Sequence, residues 1–135
     1  MEIKKSTFDY LPGLIEYEGN VVRINFDVEQ IELANMDGNK GKKASRKAYA
    51  AHVVRISQPV TRDKVIDAIV SEAYPIDKMQ AIINNHFVNL GVVADGGTLK
   101  DADELAHEEE YVAMQEWRKK AKSVASDVMA ELSNR

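Results

Sequence analysis

Basic side chains are concentrated between Gly38 and Ser57. Such side chains could bind phosphate groups or an acidic surface. This stretch has six basic residues and no acidic one, although the whole chain of 135 residues carries a formal net charge of −4. The order Gly38-Asn39-Lys40-Gly41-Lys42-Lys43 fails the phosphate-loop pattern, which requires Gly-x-x-x-x-Gly-Lys-Ser/Thr between a strand and a helix. We call five of these residues the basic loop: Lys40, Lys42, Lys43, Arg46 and Lys47.

Three interpretations of the basic loop stay open from the sequence. It is a solvated loop, a contact for an acidic protein surface, or a contact for nucleic-acid backbone by plain electrostatics. The stretch from Asp101 to Glu110 of another copy is one acidic surface that would complement it. Nucleic acid is the least favoured partner, because dedicated nucleic-acid binders usually have a basic excess. The loop also has no aromatic residue before Tyr49 that could stack on bases.

Catalytic and metal-binding chemistry has little support. The chain has no cysteine, which excludes thiol catalysis, disulfides and thiolate metal sites. Glu104 and His107 have the Glu-x-x-His spacing, but a di-iron site requires two such pairs. His52 and His86 add no second pair and are typical of half-buried polar residues. No nucleophile elbow or dinucleotide-binding glycine pattern is present. The sequence therefore predicts a non-enzymatic protein with no catalytic, cofactor-binding or metal-binding residues.

An alternating pattern predicts strands in the first 58 residues. From Val21 to Val28, apolar side chains alternate with polar ones and place Val22, Ile24, Phe26 and Val28 on one face, which indicates a half-buried strand. Residues 30–33 are a candidate continuation, and residues 48–57 form a second strand that is apolar on both faces. A long hairpin connection, residues 34–47, joins them. Residues 3–17, broken by Pro12-Gly13, predict short strands or packed loops.

Helical spacing dominates the rest of the chain. Residues 61–90 predict a helical hairpin in which Thr61 caps the first helix and Pro75 separates the two. Met79, Ile82, Ile83 and Phe87 are expected on the apolar face of the second helix, which ends near Gly91. Residues 101–132 have no proline or glycine and predict one long helix of about 45 Å.

Together these elements predict an α+β fold with a small N-terminal antiparallel sheet, a helical hairpin and a long C-terminal helix. Residues 1–100 form the α+β part, with strands within residues 1–58 and the hairpin at 61–90. Residues 101–135 form the long helix, which either belongs to the same structural unit or protrudes from it.

An apolar stripe follows the long helix, and it has two interpretations. It packs on its own chain, or it forms a seam with another copy or another protein; the length of the helix and its acidic first half favour the seam. Trp117 is usual in a core but is also enriched at interface hot spots, so its burial in the single chain distinguishes the two. The predicted interface residues are Ala113, Trp117, Ala121, Val124, Val128 and Leu132.

Three stretches resemble small proteins of phages and prophages in gut Bacteroidales. They are GNVVRINFDVEQIE, VIDAIVSEAYPIDKMQAIINNHF and EYVAMQEWRKKAKSVASDVM. The shared feature is the order of a short β part, a helical hairpin and a terminal helix with Trp and Arg. The resemblance implies a virion or assembly protein from the tail or receptor-binding region, and it implies no catalytic residues.

The sequence thus predicts a structural or assembly protein that acts through protein–protein contacts, as a homo-oligomer or in a larger assembly. The resemblance implies that this assembly is the tail region of a phage virion. The alternative is a regulatory nucleic-acid-binding module that uses residues 38–47. The N-terminus has no apolar core of a signal peptide, and no window approaches 18 consecutive apolar residues. The expected location is therefore the virion or the host cytoplasm, with no membrane contact.

Overall fold

A computed structural model describes residues 3–34 and 45–135 of the chain and confirms the predicted α+β fold. Its strands and helices, in chain order, are β1 (Ser6–Phe8), β2 (Ile15–Glu18), β3 (Val21–Ala34), β4 (Ser45–Ser57), α1 (Arg62–Ala73), α2 (Ile76–Ala94) and α3 (Ala102–Ser133). The chain divides into two compact units: unit 1 is Met1–Thr61 with Ala130–Arg135, and unit 2 is Arg62–Met129. The expected boundary at residue 100 lies inside unit 2.

The sheet of unit 1 is antiparallel throughout, with the strand order β1-β4-β3-β2. Its central pair, β3 and β4, contains the two strands that alternation predicts. Val22 lies opposite Ile56 and Ile24 lies opposite Val54, and all four side chains are buried. Burial of β-branched side chains opposite one another is the usual source of stability in such a pair.

A β-bulge interrupts the alternation of β3. Phe26 lies opposite His52, but the next paired residue, Glu29, lies opposite Ala50, so β3 has one extra residue at this point. Asp27 takes up the irregularity with a φ of 52°. Because the bulge shifts the side-chain period by one residue, Glu29 rather than Val28 follows Phe26 on its face. The expectation that Val28 shares the buried face is therefore wrong, and Val28 is exposed.

Unit 2 consists of α1, α2 and most of α3. The two helices of the predicted hairpin are separated at Tyr74-Pro75, as the missing amide hydrogen of proline requires. The second helix does not end near Gly91 as expected but continues to Ala94. Asp95 follows as the C-cap, and the next residue, Gly96, has a φ of 83°, the left-handed conformation that glycine accepts without strain. Among the described residues, no helix is long and apolar enough to cross a membrane.

Candidate functional site

The predicted interface residues on α3 are mostly interior in the single chain. Trp117, Ala121, Val124 and Val128 are buried, whereas Ala113 is exposed and Leu132 is partly exposed. The indole N–H of Trp117 donates a 2.8 Å hydrogen bond to the carbonyl oxygen of Ile69 on α1. The structure therefore favours the alternative that the stripe packs on its own chain. The role of these residues in an intermolecular seam stays a prediction.

The basic loop lies only partly within the described residues. Lys40, Lys42 and Lys43 fall outside them, whereas Arg46 and Lys47 lie at the start of β4. Both side chains are exposed, and the two residues pair across the ladder with Leu33 and Glu32. The described part of the loop is thus the basic end of a two-stranded ribbon, with one acidic residue directly opposite a lysine.

A polar cluster on unit 2 joins α2 to α3, and the sequence analysis did not find it. His86 Nδ1 lies 2.8 Å from Oε2 of Glu108, and the imidazole stacks on the ring of Tyr111 at 3.6 Å between centroids. Asn89, which is 2% exposed, donates through Nδ2 to the backbone oxygen of Glu104 at 2.9 Å and to Glu108 at 3.2 Å. No spacing rule links residues 86 and 108, so only the packing of the two helices reveals the cluster.

The electrostatics of this cluster favour an ionised carboxylate. The hydrogen bond from His86 lowers the pKa of Glu108, and the bond from Asn89 adds to the effect against a smaller opposing contribution from burial. The pair holds two helices together through partly exposed side chains. Glu104 and His107, which have the Glu-x-x-His spacing, belong to no larger set of ligands: within residues 3–34 and 45–135 no group of three His, Cys, Asp or Glu residues could hold a metal ion.

A second polar cluster connects three strands of unit 1. Arg23 on β3 forms ion pairs with Glu16 and Glu18 of β2, and Arg55 of β4 contacts Glu18 at 3.2 Å. Asn25, which is 1% exposed, donates to Glu16 and to the backbone oxygen of Gly13, each at 2.8 Å. Burial raises the pKa of Glu16, but its hydrogen bonds outweigh this and leave the pKa lowered. The charged and polar side chains of this cluster bind one another, so the cluster holds the strands of the sheet together.

The largest departure from the sequence analysis is an exposed apolar surface on α2. Phe87, expected on the buried face with Ile82, is instead 67% exposed, and Val88 is 68% exposed. The reason is the orientation of α2: its inner face is formed by Ile82 and Asn89, and the amide of Asn89 is satisfied by Glu104 and Glu108. Because Asn89 faces inward, the residues roughly half a turn away face outward.

We call this surface the α2 stripe and define it by Phe87, Val88, Gly91 and Ala94. These residues recur at helical spacing on one side of α2, and all four are exposed. Leu90, three residues after Phe87, lies beside the stripe and is 48% exposed, whereas Val93 lies one turn after the inward-facing Asn89 and is 52% exposed. A signal for it exists in the sequence: residues 79–94 contain no Asp, Glu, Lys or Arg. A helix segment with apolar residues outside its inner face has more apolar surface than one contact can bury.

No family model, no curated protein and no solved structure matches this chain. The α2 stripe and the two polar clusters are therefore interpreted from their own geometry.

Proposed function

We propose that this chain is a non-enzymatic structural or assembly protein that acts through protein–protein contacts made by the α2 stripe. The observation that carries the proposal is the exposure of three large apolar side chains on one side of α2: Phe87, Val88 and Leu90. Contiguous apolar surface of this kind marks interaction sites in soluble proteins, whereas single exposed apolar residues are ordinary. This surface is separate from the stripe on α3, whose role in an intermolecular seam stays a prediction.

The apolar side chains of this surface supply a substantial part of a binding free energy. Complete burial of a large apolar side chain contributes about 1.5–3 kcal/mol. Phe87 and Val88, about two-thirds exposed, therefore contribute about 1–2 kcal/mol each. Leu90, about half exposed, adds about 0.7–1.5 kcal/mol, for a total of roughly 3–6 kcal/mol. Association costs about 4–15 kcal/mol, so a stable contact requires a partner that also contributes apolar area.

The finer proposal places the protein among the components of a phage virion, in the tail region, with other protein subunits as partners. Its support is the resemblance of residues 19–32, 65–87 and 110–129 to small phage and prophage proteins. The second of these stretches ends at Phe87, the first residue of the α2 stripe.

Site-specific photo-crosslinking in the cells that naturally make the protein tests the proposal. A benzophenone amino acid replaces Phe87, and a matched variant carries it at Lys119, which is 77% exposed on α3 among charged neighbours. We expect protein adducts from position 87 and few or none from position 119. Equal adduct yields at the two positions, or none at position 87, contradict the proposal.

A second candidate function, nucleic-acid binding, is favoured by the ribbon of β3 and β4. β2 pairs with β3 only up to Ile24, and β1 pairs with β4 only between Tyr49 and Ala51. Beyond these partners the two long strands continue as a ribbon, with the exposed Arg46 and Lys47 near its end. Ribbons of this type can enter a DNA groove.

Salt titration of binding to a random DNA duplex tests this second candidate. If Arg46 and Lys47 contact phosphates, log Kd changes linearly with log salt, and the double substitution to alanine reduces the slope by about 2. Charge removal at Lys119 and Lys120 on α3 is the matched control. An unchanged slope in the ribbon variant, or no binding at low salt, rejects the candidate.

A further inference from the structure

We propose that the partner of the α2 stripe is a second copy of this chain, with the two α2 helices packed antiparallel about a two-fold axis between Val88 and Gly91. This inference rests on the proposed function, because it names the occupant of the same surface. It follows from three properties of the stripe: its absence of charge, the order of large and small side chains along it, and the area that it contributes.

The charge pattern permits contact between identical surfaces. In a two-fold contact the same patch meets itself, so a charged residue near the axis faces its own copy at short range. Between Met79 and Ala94 there is no Asp, Glu, Lys or Arg to be repelled in this way, and the imidazole of His86 is directed to Glu108 on α3. The nearest charged residues, Lys78 and Asp95, lie at opposite ends of this segment, and an antiparallel arrangement keeps each away from its own copy. Asp95 instead lies at the level of Asn84 of the other copy, whose amide is able to donate to a carboxylate.

Side-chain size along the stripe is self-complementary in the same arrangement. Phe87 and Val88 are large, whereas Gly91, one turn after Phe87, and Ala94, two turns after it, are small. Antiparallel packing about a point between residues 88 and 91 places Val88 of each helix at the level of Gly91 of the other. Phe87 of each helix then lies between the levels of Gly91 and Ala94 of the other. A Cβ added at Gly91 has nothing within 4 Å in the single chain, so the space above this residue is open. A glycine inside a helix is locally unfavourable and typically has a packing reason.

The two-fold arrangement also supplies the apolar area that one side alone lacks. Each copy contributes the same exposed side chains, so the apolar surface removed from water is twice that of one stripe. A partner with a charged or polar surface gives no such doubling. The uncharged stripe therefore fits its own copy better than it fits an acidic or basic protein.

Disulfide trapping with matched cysteines tests the geometry. The chain has no cysteine, so Val88→Cys and Ile76→Cys each introduce one thiol, at sites of equal exposure, 68% and 67%, on the same helix. Under mild oxidation we expect Val88→Cys to give predominantly disulfide-linked dimer and Ile76→Cys to give little. Equal trapping at the two sites, or none at residue 88, overturns the arrangement.

Sedimentation equilibrium of the full chain supplies the second measurement. We expect the wild type to be a dimer and Phe87→Glu to be a monomer, with the same helical circular dichroism because the substituted side chain is exposed. A wild type that stays monomeric up to its solubility limit overturns the inference, and so does a Phe87→Glu variant that is folded and still dimeric. If the variant unfolds, the milder Val88→Ser replaces it, and a dimer constant weakened less than about 3-fold overturns the inference.

The failures of the two proposals are distinguishable. Photo-crosslinking from position 87 that yields only a different protein, together with a monomeric wild type, leaves the proposed function intact and removes the second copy as partner. Absence of any adduct from position 87, together with a monomeric wild type, removes both.

Discussion

The burial of Trp117 leads to a quantitative prediction about folding rather than association. The indole is 9% exposed in the single chain, and its N–H donates to the carbonyl oxygen of Ile69 at 2.8 Å. Replacement of a buried large aromatic side chain by alanine costs about 3–5 kcal/mol. Since domains of this size have a free energy of unfolding of about 5–15 kcal/mol, Trp117→Ala is expected to remove a large fraction of the stability.

Trp117→Phe separates the hydrogen bond from the packing. It retains most of the apolar ring but removes the donor, so we expect a loss of about 1–2 kcal/mol. Val112→Ala, at an exposed position of the same helix, is the control and is expected to change stability by less than about 0.5 kcal/mol. Urea unfolding followed by circular dichroism at low protein concentration measures all three, with an unchanged m-value as the check on two-state behaviour.

The reasoning fails if Trp117→Ala lowers the free energy of unfolding by less than about 1 kcal/mol. It also fails if that variant keeps its stability but loses self-association. In that case α3 would be the intermolecular seam that its apolar stripe suggested, and the indole would be covered by another chain.

Three further perturbations test the local interactions. The pKa of Glu108 is lowered in the folded protein. The ionised carboxylate therefore stabilises the fold above its ordinary pKa of 4.5, and this stabilisation is lost as the pH falls through the lowered pKa. Glu108→Gln is expected to remove this part of the pH dependence of the urea midpoint. Gly19→Ala is expected to destabilise the fold by about 1–2 kcal/mol, because the φ of residue 19 is 65°. Gly91→Ala is expected to stabilise the monomer by about 1 kcal/mol, because residue 91 is helical and a Cβ there meets no atom within 4 Å. Thermal unfolding compares the two variants. Asn25→Ala should cost about 1–3 kcal/mol, because it removes a buried side chain together with its two hydrogen bonds. Arg55→Ala should cost less than about 1 kcal/mol, because its ion pair with Glu18 is exposed; the same unfolding assay checks the order.

The elements of the fold are readable from local patterns because each pattern has a direct physical cause. Alternation between Val21 and Phe26 reflects a strand with one buried face, and the chain from 102 to 133 is helical where glycine and proline are absent. Pro75 interrupts the helices because it lacks an amide hydrogen. These causes act within a few residues, so a sequence pattern is sufficient to reveal them.

The orientation of the helices is not readable in the same way. Phe87 is a better core residue than Asn89 by hydrophobicity, yet Asn89 faces inward because the Glu104 carbonyl and the Glu108 carboxylate accept its hydrogen bonds. Those acceptors are 15 and 19 residues away in the chain, and no local periodicity encodes them. The same limitation explains why the sequence leaves the stripe on α3 with two interpretations, packing on its own chain or a seam: the carbonyl of Ile69 that accepts the hydrogen bond of the indole lies 48 residues earlier.

The bulge on β3 has a consequence for variation in the length of the chain. Removal of Asp27 alone would leave Phe26 opposite His52 and Glu29 opposite Ala50, with Val28 in the regular position between them. Every later pair, up to Ala34 and Ser45, would keep its partner and its face. Since bulges increase local twist, loss or gain of a single codon here would re-aim the ribbon that carries Arg46 and Lys47 while the rest of the ladder stays in register.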